Sequence, residues 1–148
     1  MAYLGLLQPL AIPNQAWTNL TMDFIEGLPR SKGKDCIMVV VDRFTKFAHF
    51  IYLTHPYSAP EVDRVFLDQV MKLHGVPNSI VFDRDKIFTS LFWQELMRSL
   101  GVKLKTSTAY HPQTNGQTEQ VNRCVEGYLR CLCFLHPKGW HKWVSLAQ

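Results

Sequence analysis

Trp17-Thr-Asn-Leu-Thr-Met-Asp-Phe-Ile25 is the stretch from which the fold can be worked out. Leu20, Met22 and Phe24 alternate with Asn19, Thr21 and Asp23. A period of two predicts a strand with its apolar side chains on one face and Asp23 on the other. A carboxylate held among apolar neighbours has to be paired, protonated or bound to a cation, because removing its water is costly. Working outward, Gly27-Leu-Pro29 and Ser31-Lys-Gly33 turn the chain. The runs Cys36 to Asp42 and Ala48 to Leu53 are β-branched or aromatic and flank the short link from Arg43 to Lys46. They extend the first strand into a three-stranded antiparallel meander.

Beyond the meander the period changes. Ser58-Ala-Pro-Glu61 is a capping box, followed at helical spacing by Val62, Val65, Phe66, Val70 and Leu73 until Gly75 and Pro77 stop the helix. Ser79 to Phe82 reads as a short buried strand that delivers Asp83 to its C-terminal end. Ser90 to Leu100 predicts a second helix with Phe92, Trp93, Leu96, Met97 and Leu100 inward and Gly101 as its stop. Val102 to Ser107 predicts a fifth strand, 108–116 a loop, and about Gln117 to Leu135 a long helix with Val121, Val125, Tyr128, Leu129 and Leu132 on one stripe. Pro137 and Gly139 interrupt it before another helix begins at Trp140. The order βββαβαβα predicts an α/β domain with a five-stranded mixed sheet flanked by helices, since the later strands need helical crossovers and so lie parallel. That is the order of a ribonuclease H-like domain.

Composition sets the outer bounds. With 148 residues, 47% of them apolar and 12% aromatic, the chain can bury one sizeable core, and disorder is not expected. The longest uncharged apolar run, Cys36 to Val41, is far short of the roughly 20 residues of a membrane span. No basic region followed by an apolar signal core opens the chain, so an intracellular soluble protein with no membrane partner is expected. The four cysteines, at 36, 124, 131 and 133, form no Cys-x-x-Cys pair and read as reduced thiols. Cys131, Cys133 and His136 offer a weak zinc pattern with no matching second pair. Residues 1–97 carry 9 basic and 10 acidic side chains and 98–148 carry 7 and 2, so the net charge of +4 arises in the last third. Such a basic part suits a polyanion such as nucleic acid, and equally a solvated basic helix face. Residues 1–13 read as a lead-in and 14–148 as one domain.

Three acids stand apart because they fall in three different elements: Asp23 within the first strand, Asp83 at the end of the fourth, and Glu119 in the first turn of the long helix, where the helix dipole favours a carboxylate. Thirty-five residues separate Asp83 from Glu119. If the first and fourth strands are neighbours, Asp23 and Asp83 meet near the carboxyl ends of parallel strands, and Glu119 closes the cluster from the helix. Three such acids repel one another when empty. Two Mg2+ ions roughly 3.5–4 Å apart would neutralise them and clamp an in-line phosphoryl displacement. Taken singly, Asp23 could equally be a surface acid at a strand edge, Asp83 a turn residue beside Arg84, and Glu119 a helix-start acid.

Several phrases together are similar to one family: Trp17-Thr-Asn-Leu-Thr-Met-Asp-Phe-Ile-Glu-Gly-Leu-Pro29, Val40-Val-Asp-Arg-Phe-Thr-Lys-Phe-Ala-His49, Leu73-His-Gly-Val-Pro77, Asp83-Arg-Asp85 and Thr108-Ala-Tyr-His-Pro-Gln-Thr-Asn-Gly-Gln-Thr-Glu-Gln-Val-Asn-Arg123. Over nearly the whole chain they resemble the integrase catalytic core of gypsy-class long-terminal-repeat retrotransposons. The resemblance implies a polynucleotidyl transferase in which Asp23, Asp83 and Glu119 bind two Mg2+ or Mn2+ ions, trim element ends and join their 3′-hydroxyls to target DNA. It also implies a homodimer or higher oligomer and a nuclear location. The family's N-terminal His-His-Cys-Cys zinc module and DNA-binding tail have no counterpart in these residues. The chain stops at Gln148 inside what resembles the next core helix, so a C-terminally truncated core is expected.

Around the three acids, Gln113, Asn115 and Gln117 can hydrogen-bond DNA from an active-site loop spanning 110–116, which serves equally as a helix-entry loop capped by Thr114. Arg123 and Arg130 follow Glu119 near one helical face with Asn122 beside it, where they could hold phosphates. An Arg123 to Glu119 ion pair is the rival. Glu26, Asp35, Asp42 and Asp85 are near enough to substitute for a member of the triad. Asp42, before Arg43, reads as solvated or arginine-paired, and Asp85 as a loop acid. His49, His55, His74 and His141 have no partner pattern, and His111 is the histidine to test. Two other functions stay open: a catalytically inactive DNA-binding remnant of an integrase, and a ribonuclease H hydrolase, which typically uses a fourth acid and other spacings.

Overall fold

The computed structural model describes residues 16–82, 90–106 and 112–147, with the side chains of 112–123 and 146–147 outside the description. The meander forms as the alternation predicts: β1 (Asn19–Ile25), β2 (Cys36–Asp42) and β3 (Ala48–Leu53). β1 and β2 are antiparallel, from Leu20 opposite Asp42 to Ile25 opposite Ile37. β2 and β3 are antiparallel, from Cys36 opposite Leu53 to Val41 opposite Ala48. β4 (Ser79–Phe82) then lies parallel to β1, and β5 (Lys103–Thr106) parallel to β4. The sheet order is β3-β2-β1-β4-β5, the mixed five-stranded arrangement expected of a ribonuclease H-like domain.

Strand alternation gives each face its own core. Leu20, Met22 and Phe24 of β1 face α1 (Ala59–Phe66) and α3 (Leu91–Ser99), where Phe66, Trp93 and Met97 are fully buried. Ile25, Ile37, Val39 and Val41 face α4 (Pro112–Leu135) and α5 (Trp140–Ala147), meeting Leu129, Cys133, Trp140 and Val144. Each large apolar side chain buried in this way contributes roughly 1.5–3 kcal/mol.

The predicted capping box is present: Glu61 N–H donates to Ser58 Oγ at 3.3 Å, and Ser58 N–H donates to Glu61 Oε1 at 2.9 Å. After α1, however, the helix passes through a π-turn, Leu67–Met71, in which Lys72 N–H reaches back to Leu67 O, before ending in α2 (Lys72–His74). A π-turn puts one extra residue into a turn, so every later position lags on the helix face. Met71 is buried, Leu73 is 67% exposed against expectation, and His74 turns inward onto Trp17, their rings stacked at 4.0 Å.

Other expectations shift as well. On α3, Trp93 and Met97 point in while Phe92 is 48% exposed and Leu100 is also exposed, because the short helix buries a narrow stripe centred on the bulky indole. On α4, Leu129 and Cys133 form the buried stripe with Val125 and Leu132 at its flanks, and Tyr128 is exposed. Val121 lies outside the described side chains.

Candidate active site

Asp23 stands where the alternation puts it, on the face of β1 that α4 covers. It is half-buried, sits opposite Val39 of β2, and its Oδ1 accepts from Phe24 N–H at 2.8 Å. Thr21, Asp23, Ile25, Val39 and Val41 of the sheet and Val125 and Glu126 of α4 line a small cavity of about 10 Å³. That is the space of about one water-sized group.

β4 brings the chain to the same end of the sheet. Its last parallel pair with β1 is Met22 with Phe82; Asp23 and Asp83 are the next residue of each chain segment. Asp83 and Asp85 lie outside the described residues, as do Tyr110 and His111. Glu119 falls within α4, but not in the first turn. The helix begins at Pro112, five residues before the expected start, so Glu119 is its eighth residue and the dipole, which fades beyond the first turn, lends it little. Proline suits a first helical position because its fixed φ is already helical and its missing N–H would be unbonded there. Against that, the penalty of about 1 kcal/mol for Gly116 inside a helix is small. Gln113, Asn115, Gln117, Asn122 and Arg123 are therefore all on this helix rather than partly in a loop, and their side chains lie outside the description.

Arg130 is the one expected DNA contact whose side chain is described. Its Nε donates to Glu126 Oε2 at 3.1 Å and its Nη1 to the Glu26 carbonyl at 3.0 Å. Its guanidinium is thus engaged by its own chain at a partly exposed position, bridging α4 to the end of β1.

The remaining acids have structural work. Asp42 is fully buried, neither solvated nor paired with Arg43 as the sequence suggested. It accepts from Phe44 N–H, Thr45 N–H and, at 2.6 Å, the Thr45 hydroxyl, which fixes the β2–β3 turn. Asp35 accepts from His55 N–H at 2.8 Å and pairs with Arg30. Glu26 accepts from the Tyr57 hydroxyl at 2.6 Å and lies 3.5 Å from His55 Nδ1. Burial, aided by the Glu26 hydrogen bond, raises the Tyr57 pKa far above its ordinary value, so Tyr57 remains the donor.

All four histidines without an expected partner have one. His49 and His74 meet at 2.9 Å between their Nε2 atoms, and burial, with His74 nearby, lowers the His49 pKa. His55 faces Glu26, and His141 Nδ1 is 2.6 Å from Ser31 Oγ. The π-turn that aims His74 left no signal in the residue pattern. The Cys131, Cys133 and His136 zinc pattern does not assemble: Cys131 is exposed, Cys133 is buried with its thiol pKa pushed up to about 11 by burial, and His136 stacks on Trp143. Among the described residues no three His, Cys, Asp or Glu side chains converge on a metal position.

Comparison with known proteins bears on the same residues. The family model described as integrase core domain matches residues 11–112, a span that takes in positions 23 and 83 and ends before 119. The chain is 42% identical over 144 residues, 97% of its length, to the Transposon Tf2-3 polyprotein of Schizosaccharomyces pombe, and it spans 11% of that polyprotein. Among solved structures it superposes on the simian T-cell lymphotropic virus intasome in complex with PP2A regulatory subunit B56 gamma with a TM-score of 0.62 and 20% identity, over 83% of this chain and 42% of that one. It superposes on the dimeric form of the HTLV-2 integrase catalytic core domain in complex with magnesium with a TM-score of 0.57 and 23% identity, over 82% and 76%. The viral structures share the fold. The matched model runs from before β1 through β5 and the transposon relative is similar along nearly the whole chain, so the protein belongs to the integrase core domain family.

Proposed function

We propose that this chain is the catalytic core of a retrotransposon integrase, which trims the 3′ ends of element DNA and joins them to target DNA, with Asp23, Asp83 and Glu119 as its metal-binding and catalytic acids. The observation that carries the reading is the register of β1 against β4. Parallel pairing runs to Met22 and Phe82, immediately before the two aspartates, and α4, which includes Glu119, packs over the face that Asp23 occupies. The donor chemistry fits: the half-buried Asp23 carboxylate, beside a small and mainly apolar gap, offers the hard oxygen ligands that Mg2+ or Mn2+ prefers. Two such ions, when bound, supply activation of the attacking oxygen and stabilisation of the leaving one. Asp23 holds its carboxylate on a rigid central strand, fixed by Phe24 N–H, so that its position does not change as the phosphate bond moves.

Magnesium in the HTLV-2 relative and the dimeric form in which it was solved support the metal and the homodimer as parts of this proposal. DNA is the partner, as element ends and as target, and the nucleus the compartment. Asp23→Asn and Glu119→Gln should each lower magnesium-dependent joining of preprocessed element ends at least 1000-fold, about 4 kcal/mol of transition-state stabilisation. Joining at an unchanged rate in either variant overturns the reading.

The rival, a DNA-binding remnant without turnover, draws on the basic excess in 98–148 and on edge strand β5, which exposes Lys103 and Lys105. It predicts DNA affinity that falls steeply with salt and no joining by the unaltered protein.

A further inference from the structure

Arg130 invites assignment to a DNA phosphate on its charge and its place on α4, but its contacts say otherwise. The guanidinium, on a side chain 40% exposed, is divided between two partners of its own chain: Nε to the Glu126 carboxylate on its own helix, and Nη1 to the backbone carbonyl of Glu26 just beyond β1. Glu26 is itself anchored through its carboxylate by the Tyr57 hydroxyl and faces His55, so the carbonyl that Arg130 holds belongs to a fixed point. Glu26 is three residues past Asp23.

Between these two levels, the apolar packing of helix on strand is incomplete. Leu129 packs fully buried in the core that includes Ile25, but at Asp23 the interface opens into the cavity lined by Val125 and Glu126. The polar bridge adds a directional tie between helix and strand beside that opening, where Val125 and Leu129 give only apolar contact. Position 119 lies eleven residues up the same helix, about 16 Å at 1.5 Å per residue. A small tilt about Leu129 is therefore magnified where the third acid is carried.

We propose that Arg130 is a positioning residue: a clamp that fixes α4 against the carboxyl end of β1 and so sets how Glu119 stands to Asp23. The inference rests on the integrase reading above. Arginine is required because its planar fork reaches two acceptors at once, whereas a lysine ammonium is a point charge on a flexible stem.

This separates the clamp from a phosphate contact. For the clamp, Arg130→Lys and Arg130→Ala both lower the turnover rate of joining roughly 10- to 100-fold. The KM for element-end DNA and the salt dependence of binding stay as in the unaltered protein. Glu126→Ala produces the same loss, and combining it with Arg130→Ala adds little, because both remove one unit. If Arg130→Lys joins at the original rate, or if Arg130→Ala weakens DNA binding and flattens its salt slope by about one, the clamp is overturned.

Should Arg130→Ala not fold, Arg130→Lys carries the test. Asp23→Asn is assayed beside these variants: if it still joins DNA, the integrase chemistry fails, and the clamp is then judged by amide exchange in 125–132. Faster exchange in Arg130→Lys upholds it, and unchanged exchange overturns it.

Discussion

The two faces of the central sheet are built from the same strands and treat their acids in opposite ways. On the α1 and α3 side, Asp42 and Asp63 are buried at 0% and 6% exposure inside or beside a continuous apolar core. Asp42 is satisfied by its own turn, while Asp63 Oδ1 has no hydrogen-bond partner among the described residues. On the α4 and α5 side, Asp23 is only half-buried and borders an unfilled gap. Depth of burial is therefore a poor guide to chemistry here. The deeply buried acids belong to the scaffold, and the acid proposed to bind metal is the one left partly open on a central strand.

If the α1 and α3 side is the scaffold, removing its anchor should cost most. Trp93→Ala should lose about 4 kcal/mol, whereas Leu129→Ala, on a face that already tolerates a gap, should lose about 2–3 kcal/mol, both read from urea unfolding. Equal losses would erase the distinction. Asp42→Ala should cost about 2 kcal/mol by orphaning the turn donors around Phe44 and Thr45, with magnesium affinity unaltered. A change in metal binding would move Asp42 from scaffold to site.

The smallest effect has the opposite sign. Burial raises the Asp63 pKa above its ordinary 3.8, so the stability that goes with its protonated form is complete below pH 3.8 and is lost as pH rises through the higher folded value. Asp63→Asn should then match the unaltered protein near pH 3.5 and be more stable by about 1 kcal/mol at pH 7, measured as Tm against pH. A less stable variant at pH 7 would give Asp63 a partner or a role that its surroundings do not suggest.

Much of this was legible in the residues. Alternation from Leu20 to Phe24 foretold both the strand and the side on which Asp23 lies, and β2, β3 and β4 begin and end where their apolar runs do. Parallel pairing of the later strands followed from chain connectivity, since crossovers of helical length force it, whereas the place of β4 beside β1 was only a condition of the reading. The candidate site was readable only as residue types in separate elements, of which the described structure places Asp23 on β1 and a strand pairing that ends at Met22 and Phe82.

What was not legible depends on angle or on distant partners. Turn-forming residues at 115 and 116 disguised the first turns of α4. Tyr128 sits at an inward spacing but one position off the stripe that Leu129 and Cys133 fill. The partners of Arg130 lie 104 residues away at Glu26 and one turn away at Glu126, and no local pattern signals the first.

The π-turn at Leu67–Met71 sets a difference between counting residues and counting degrees. An alignment treats a one-residue deletion there as a loss, but the helix would treat it as a correction, regaining regular hydrogen bonds while everything downstream keeps its present face, because the π-turn holds the one residue too many. Leu73 would stay exposed and His74 would stay on His49 and Trp17; regular α winding of the undeleted chain is what would turn Leu73 to the core and His74 away. The extra residue works as a phase shifter, and the imidazole pair at the sheet edge exists only while the helix is out of step with its own sequence period.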